Sequence, residues 1–164
     1  MKSILLALAA LAATVPAAAA APDDLMPALH GYMAATKAPC YRRDIETRCS
    51  ISGLVEGDMK VHRASGDVAL AFVPYQWDNT GNGMDQMIIV LNRSGGHWAV
   101  VGRADNTVGT DPRDFRVAPG RITYVGTTMR PGDSRIAPTG KATFRLDVGP
   151  SGVTFVDPTR RATR

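Results

Sequence analysis

The three histidines, His30, His62 and His97, and the carboxylate of Asp85 are the first places to look for chemistry. An imidazole beside a carboxylate in an apolar pocket serves as a general base, and three converging imidazoles hold zinc. Neither H-E-x-x-H nor H-x-H occurs, so no local spacing supplies metal ligands. A sheet curled into a cone around a helix would turn His62, Asp85 and His97 toward one cavity. That arrangement defines a small-ligand binder or a small enzyme as the alternative reading.

The stretch WDNTGNGMD, residues 77–85, invites comparison with a calcium loop. Numbered from Asp78, position three is Thr80, position five Asn82 and position six Gly83, but position twelve is Ile89. Such loops need a bidentate Glu at position twelve to complete the oxygen shell, so the stretch reads as a connection between two strands. GPSG at 149–152 is followed by Val153 where a nucleophile elbow needs glycine, and GNGMDQ lacks the third glycine of a dinucleotide fingerprint. No metal or cofactor is expected, and no catalytic residue is assigned.

Aromatic residues offer a different chemistry. Tyr75, Trp77 and Trp98 stand near the ends of apolar runs, and Arg42, Arg43 and Arg48 cluster earlier in the chain. Large rings beside guanidinium groups anchor partner surfaces. The same rings also serve to close the ends of a core. Tyr75, Trp77, Trp98, Arg42 and Arg43 are therefore the candidate partner-binding residues.

These side chains must be positioned by a frame that begins after a leader. Lys2 followed by ILLALAALAATV and an alanine-rich run has the form of a secretory signal peptide over residues 1–20. A single globular domain is expected over 21–157, with a basic flexible tail at 158–164. No later run is long enough to span a membrane, so the protein is expected in the periplasm or secreted. Cys40 and Cys49, the only cysteines, are expected to form one disulfide in that oxidising setting. Closing so short a loop is worth a little under ~3 kcal/mol in the chain-entropy account.

Leu25, Met26, Leu29, Tyr32 and Met33 recur at helical spacing, with Asp23 or Asp24 to cap the first turn and Pro39 to forbid continuation. From Ser50 onward the texture becomes short β-branched and aromatic runs. Strands are predicted over 59–63, 68–76, 85–92, 97–104, 121–129, 141–148 and 153–156, punctuated by ASGD, RSGG, APGR, RPGD and GPSG. Pro74 suggests a bulge or strand end. The strands over 85–92 and 97–104 make the clearest hairpin, and the run Met87–Leu91 in its first strand is apolar on both faces, so both must be covered. The helix covers one; a curl of the sheet or the segment 105–116 would cover the other. The fold expected is α+β, one N-terminal helix packed on a curved antiparallel sheet of about six or seven strands.

The runs GDVALAFVPYQ, GNGMDQMIIVLNRSGGHW and DPRDFRVAPGRITYVG resemble a loose class of small exported bacterial proteins. The resemblance implies an exported helix-plus-sheet domain and transfers no catalytic residue. The formal charge is +4, with 15 Arg and 4 Lys, which favours an envelope protein or an anionic polymer over nucleic acid as partner for an exported chain. The function expected is a noncatalytic binding or interaction domain of the bacterial cell envelope.

Overall fold

The computed structural model describes residues 23–42, 45–55, 57–76, 84–134 and 137–159. The leader, the stretch 77–83 and the last five tail residues lie outside them. One helix, α1 (Leu25–Ala35), precedes a hairpin of β1 (Lys37–Arg42) and β2 (Ile45–Ser50). The central sheet follows as β3 (Lys60–Arg63), β4 (Val68–Gln76), β5 (Met84–Ser94) and β6 (His97–Ala104), in chain order and antiparallel. A second meander, the outer sheet, comprises β7 (Thr110–Ala118), β8 (Arg121–Thr128), β9 (Gly140–Gly149) and β10 (Gly152–Val156).

The expected single sheet of six or seven strands is therefore corrected to two four-stranded sheets and a separate hairpin. The central sheet is buried on both faces. Ala69, Ala71, Val73, Met87, Ile89 and Leu91 pack beneath α1 and the hairpin. Leu70, Phe72, Ile88 and Val90 face the outer sheet and meet Ile122, Tyr124, Phe144 and Leu146. The doubly apolar run in β5 thus has two covers, and the second is a sheet that begins after the crossover at 105–109.

Residue types at that crossover explain why the chain leaves one sheet for the other. Thr107 is buried; its N–H donates to the Gln86 carbonyl at 2.8 Å and its Oγ1 to the same oxygen at 3.0 Å. Gln86 Nε2 returns a bond to Thr107 Oγ1 at 3.2 Å. This clasp satisfies polar groups that burial would otherwise leave costly. Gly109 then takes φ +95, and Phe144 occupies the space a side chain there would need, 2.6 Å from the position of a Cβ. The turn and the close approach both require glycine.

Within α1, Leu25, Leu29 and Met33 form the buried face at spacing four, whereas Met26 is exposed. Asp24 occupies the cap position, its carbonyl accepting the Ala28 N–H at 3.0 Å, but its side chain makes no cap bond; the carboxylate instead accepts the Trp98 N–H at 3.1 Å and faces His97 Nδ1 at 3.0 Å. The start of the helix is thereby tied to β6. Pro74 does not end β4, which continues to Gln76. Gln76 N–H donates to the Leu54 carbonyl at 2.9 Å, so by period two Pro74 turns its missing donor to the same side. There β3 has already ended, at Lys60 opposite Phe72.

Cys40 and Cys49 are joined, with Cα atoms 5.9 Å apart, across the hairpin that covers one end of the helix-side core. Among the described residues no helix is long and apolar enough to cross a membrane.

Candidate functional site

The paired strands place His62, Asp85 and His97 apart. His62 lies opposite Leu70 and its ring packs on Phe72 and Phe115, at centroid distances of 5.6 and 5.3 Å, on the side facing the outer sheet. Asp85 lies opposite Tyr75, which packs in the helix-side core. His97 sits at the far turn, exposed and bonded to Asp24. Because successive residues of a strand point to opposite faces, the expected three-residue cavity does not assemble. Burial, with Lys60 adding, lowers the pKa of His62, and its Nε2 is buried without a partner. Among the described residues no three His, Cys, Asp or Glu side chains gather as a metal site.

The aromatic candidates divide differently. Tyr75 and Trp98 are both buried in the helix-side core, at 7% and 4% exposure, so neither ring is a surface anchor. Arg63 covers Trp98, its guanidinium carbon 5.1 Å from the ring centroid, and Arg63 also pairs with Asp23. Burial, helped by Asp105 and Asp85, pushes the Tyr75 phenol up to about 12, and it donates to Asn106 Oδ1 at 3.3 Å. Trp77 and Arg43 lie outside the described residues, and Arg42 ends β1. The stretch WDNTGNGMD lies mostly outside them too, but Gln76 pairs with Met84, so residues 77–83 join the two strands of a hairpin.

The outer face of the outer sheet brings together residues that the sequence reading left unassigned. On β8 the buried Ile122, Tyr124 and Gly126 alternate with Arg121, Thr123, Val125 and Thr127. On β9 the inward Ala142, Phe144 and Leu146 alternate with Lys141, Thr143, Arg145 and Asp147. Register then builds rows across the sheet. Arg116, Thr123 and Arg145 form one row; Arg113, Val125 and Thr143 the next; Thr127 and Lys141 a third. At normal strand spacing Arg116 and Arg145 stand about 10 Å apart along their row.

Five cations therefore share a face with one carboxylate in its paired rows, Asp147. That carboxylate lies 3.0 Å from Arg145 and 3.8 Å from Arg121. Asp111 and Asp114 belong to the irregular strand β7, where both have positive φ and the register shifts on either side of Arg113. Arg113 is held in place, its guanidinium donating to the Asp111 carbonyl at 2.8 Å and to Thr127 Oγ1 at 3.3 Å. A depression of about 530 Å³ opens on this face over Thr123, Val125 and Thr143, with Asp114 and Arg116 at its wall. Fixed guanidinium groups with interleaved hydroxyls can hydrogen-bond and neutralise repeated anionic groups. The alternation in RITYVGTT and KATFRLDV is the signal that could have revealed this face.

Comparison with protein-family models, with curated proteins and with solved structures finds no significant match to this chain.

Proposed function

We propose that the protein is an exported, noncatalytic binding domain of the cell envelope, and that the outer face of β7–β10 carries its partner, an anionic polymer. The observation behind this reading is the row structure of that face, with Arg113, Arg116, Arg121, Lys141 and Arg145 interleaved with threonines. A flat array of cations presents many weak contacts to a repeating anion, and its attraction falls as salt screens it. The separation of His62, Asp85 and His97 supports the binding reading over the cavity alternative. The signal-like N-terminus and the Cys40–Cys49 disulfide are compatible with an oxidising compartment outside the cytoplasm.

The test is retention of the oxidised protein on immobilised dextran sulfate and on polygalacturonate, with salt titrated from low to physiological strength. Binding is expected to weaken with salt, and the double variant Arg113→Gln/Arg116→Gln is expected to lose at least tenfold in affinity while its melting curve stays cooperative. Equal retention of the variant and the parent, or no retention of the parent at low salt, would remove the outer face as the binding surface.

A further inference from the structure

Two bulges in β7 aim side chains that a regular strand would scatter over both faces. Thr110, Arg113 and Arg116 are three apart in the chain, yet they lie opposite Thr127, Val125 and Thr123, which are two apart and outward on β8. Each step on β7 therefore carries one extra residue, with Asp111 at φ 47 in the first and Asp114 at φ 54 in the second. Bulges re-aim side chains, and a non-glycine residue held at positive φ is a place to look for function. Here they set Thr110, Arg113 and Arg116 on one face.

The result is an apolar centre with a charged and hydroxylated surround. Val125 lies between Arg113 on β7 and Thr143 on β9, with Thr123 and Thr127 two residues to either side on its own strand. Arg116, Arg145 and Lys141 take diagonal positions, about 7–8 Å away and within reach of long side chains. Arg113 bonds Thr127 and Arg145 pairs with Asp147, whereas Arg116 and Lys141 make no ion pair or hydrogen bond among the described residues. These two uncommitted cations stand at opposite corners, with Val125 and its depression of about 530 Å³ between them. Among the described residues lining that depression Asp114 is the sole carboxylate, and it too is uncommitted.

This pattern discriminates among anionic polymers. A polyphosphate chain presents anionic oxygens, with no hydroxyl to donate to Asp114 and nothing apolar to cover Val125. Single-stranded nucleic acid needs exposed rings on which its bases stack, but Tyr124, Phe144 and Phe155 all turn inward. A sugar ring supplies a C–H face together with hydroxyls, which both donate and accept. On the reading that the outer face binds an anionic polymer, we infer that this polymer is an acidic polysaccharide seated over Val125. One ring covers the valine, its hydroxyls meet Thr123 and Thr143 and donate to Asp114, and the acidic groups of its neighbours in the polymer reach Arg116 and Lys141.

Titration calorimetry with trigalacturonate, tripolyphosphate and the neutral trimer maltotriose, at one fixed low salt concentration, tests this seat. Trigalacturonate is expected to bind and maltotriose is not. Thr123→Val/Thr143→Val keeps shape and charge but removes two hydroxyls; it is expected to lower trigalacturonate affinity about tenfold and to leave that for tripolyphosphate unchanged. Thr143→Val alone, at an exposed position of β9, is expected to give a smaller loss in the same direction and serves where the double variant melts early. Equal loss for both anions, or no loss for either, overturns the acidic-sugar assignment while the outer face remains the binding surface. So does tripolyphosphate binding without trigalacturonate, or maltotriose binding as tightly as trigalacturonate. Arg116→Gln is expected to weaken both anions. No binding of either anion, or indifference of both to Arg116→Gln, overturns the polymer-binding reading and this seat with it.

Discussion

The two faces of the central sheet are built from different materials. Toward α1 the contacts are mostly aliphatic, with Leu25, Leu29 and Met33 set on Ala69, Ala71, Ile89 and Leu91, and Tyr75 and Trp98 as the buried rings. Toward the outer sheet they are aromatic: His62, Phe72, Phe115, Tyr124, Phe144 and Phe155 form one connected series of ring contacts with centroids 5.3 to 6.5 Å apart. The first cover is supplied by neighbouring chain and tied by a disulfide. The second comes from strands late in the sequence and depends on rings filling space above glycines. Two covers on one sheet need not share their energetics.

Phe144→Ala is expected to be the most damaging single change, at about 3–5 kcal/mol. Its ring is fully buried, stacks on Tyr124 and Phe155, and fills the space over Gly109 and Gly126. Leu29→Ala on the other side is expected to cost about 2–5 kcal/mol, because its side chain is fully buried in the helix-side core. Urea unfolding of both single variants and the double variant measures the coupling. The two costs should add to within roughly 0.5 kcal/mol, since the sites have no shared partner. A coupling above about 1 kcal/mol would mean that the central sheet transmits strain between its covers, and the comparison would fail.

The disulfide offers a smaller, local test. Reducing Cys40–Cys49, or replacing both residues with Ala, should lower stability by a little under ~3 kcal/mol. Amide exchange should quicken first in α1, β1 and β2, which the crosslinked hairpin supports, and leave β7–β10 near their original rates. Equal acceleration in the outer sheet would show that the hairpin stabilises the whole molecule rather than one face.

Sequence alone made part of this comparison legible. The helix and seven strands announce themselves because Leu25, Leu29 and Met33 keep helical spacing and runs such as VALAFVPYQ and RITYVGTT sit between glycine or proline turns. β7 was hidden: positive φ at Asp111 and Asp114 breaks its alternation, so TDPRDFRVA has no period-two pattern. β1 and β2 were hidden for another reason, as KAPCYR and IETRCS carry few apolar residues and are joined covalently. The split into two sheets rests on Thr107 bonding Gln86, a long-range contact with no local signature. The cationic rows were readable in β8 and β9 as alternating Arg, Lys and Thr, but their alignment required the register.

Acid should distinguish the two faces by the pH at which each loosens. On the aromatic side, burial and Lys60 hold the folded pKa of His62 below its ordinary value of about 6.5. The unfolded chain then takes up the proton first, so stability is full above roughly pH 6.5 and is lost as pH falls through the folded pKa. On the helix side, the Trp98 N–H and His97 hold Asp24 below the usual carboxylate value. Its contribution is present above about pH 4 and is lost only as pH falls further, through its own folded pKa. Amide exchange across pH 8 to 3 should therefore show β3 and β7 loosening in the mildly acidic window and the α1–β6 junction at lower pH. His62→Phe should flatten the first change, while Asp24→Asn should flatten the second. A His62→Phe profile identical to the parent between pH 7 and 5 would show that the aromatic face does not depend on a neutral imidazole, and the difference in pH response between the covers would have to come from elsewhere.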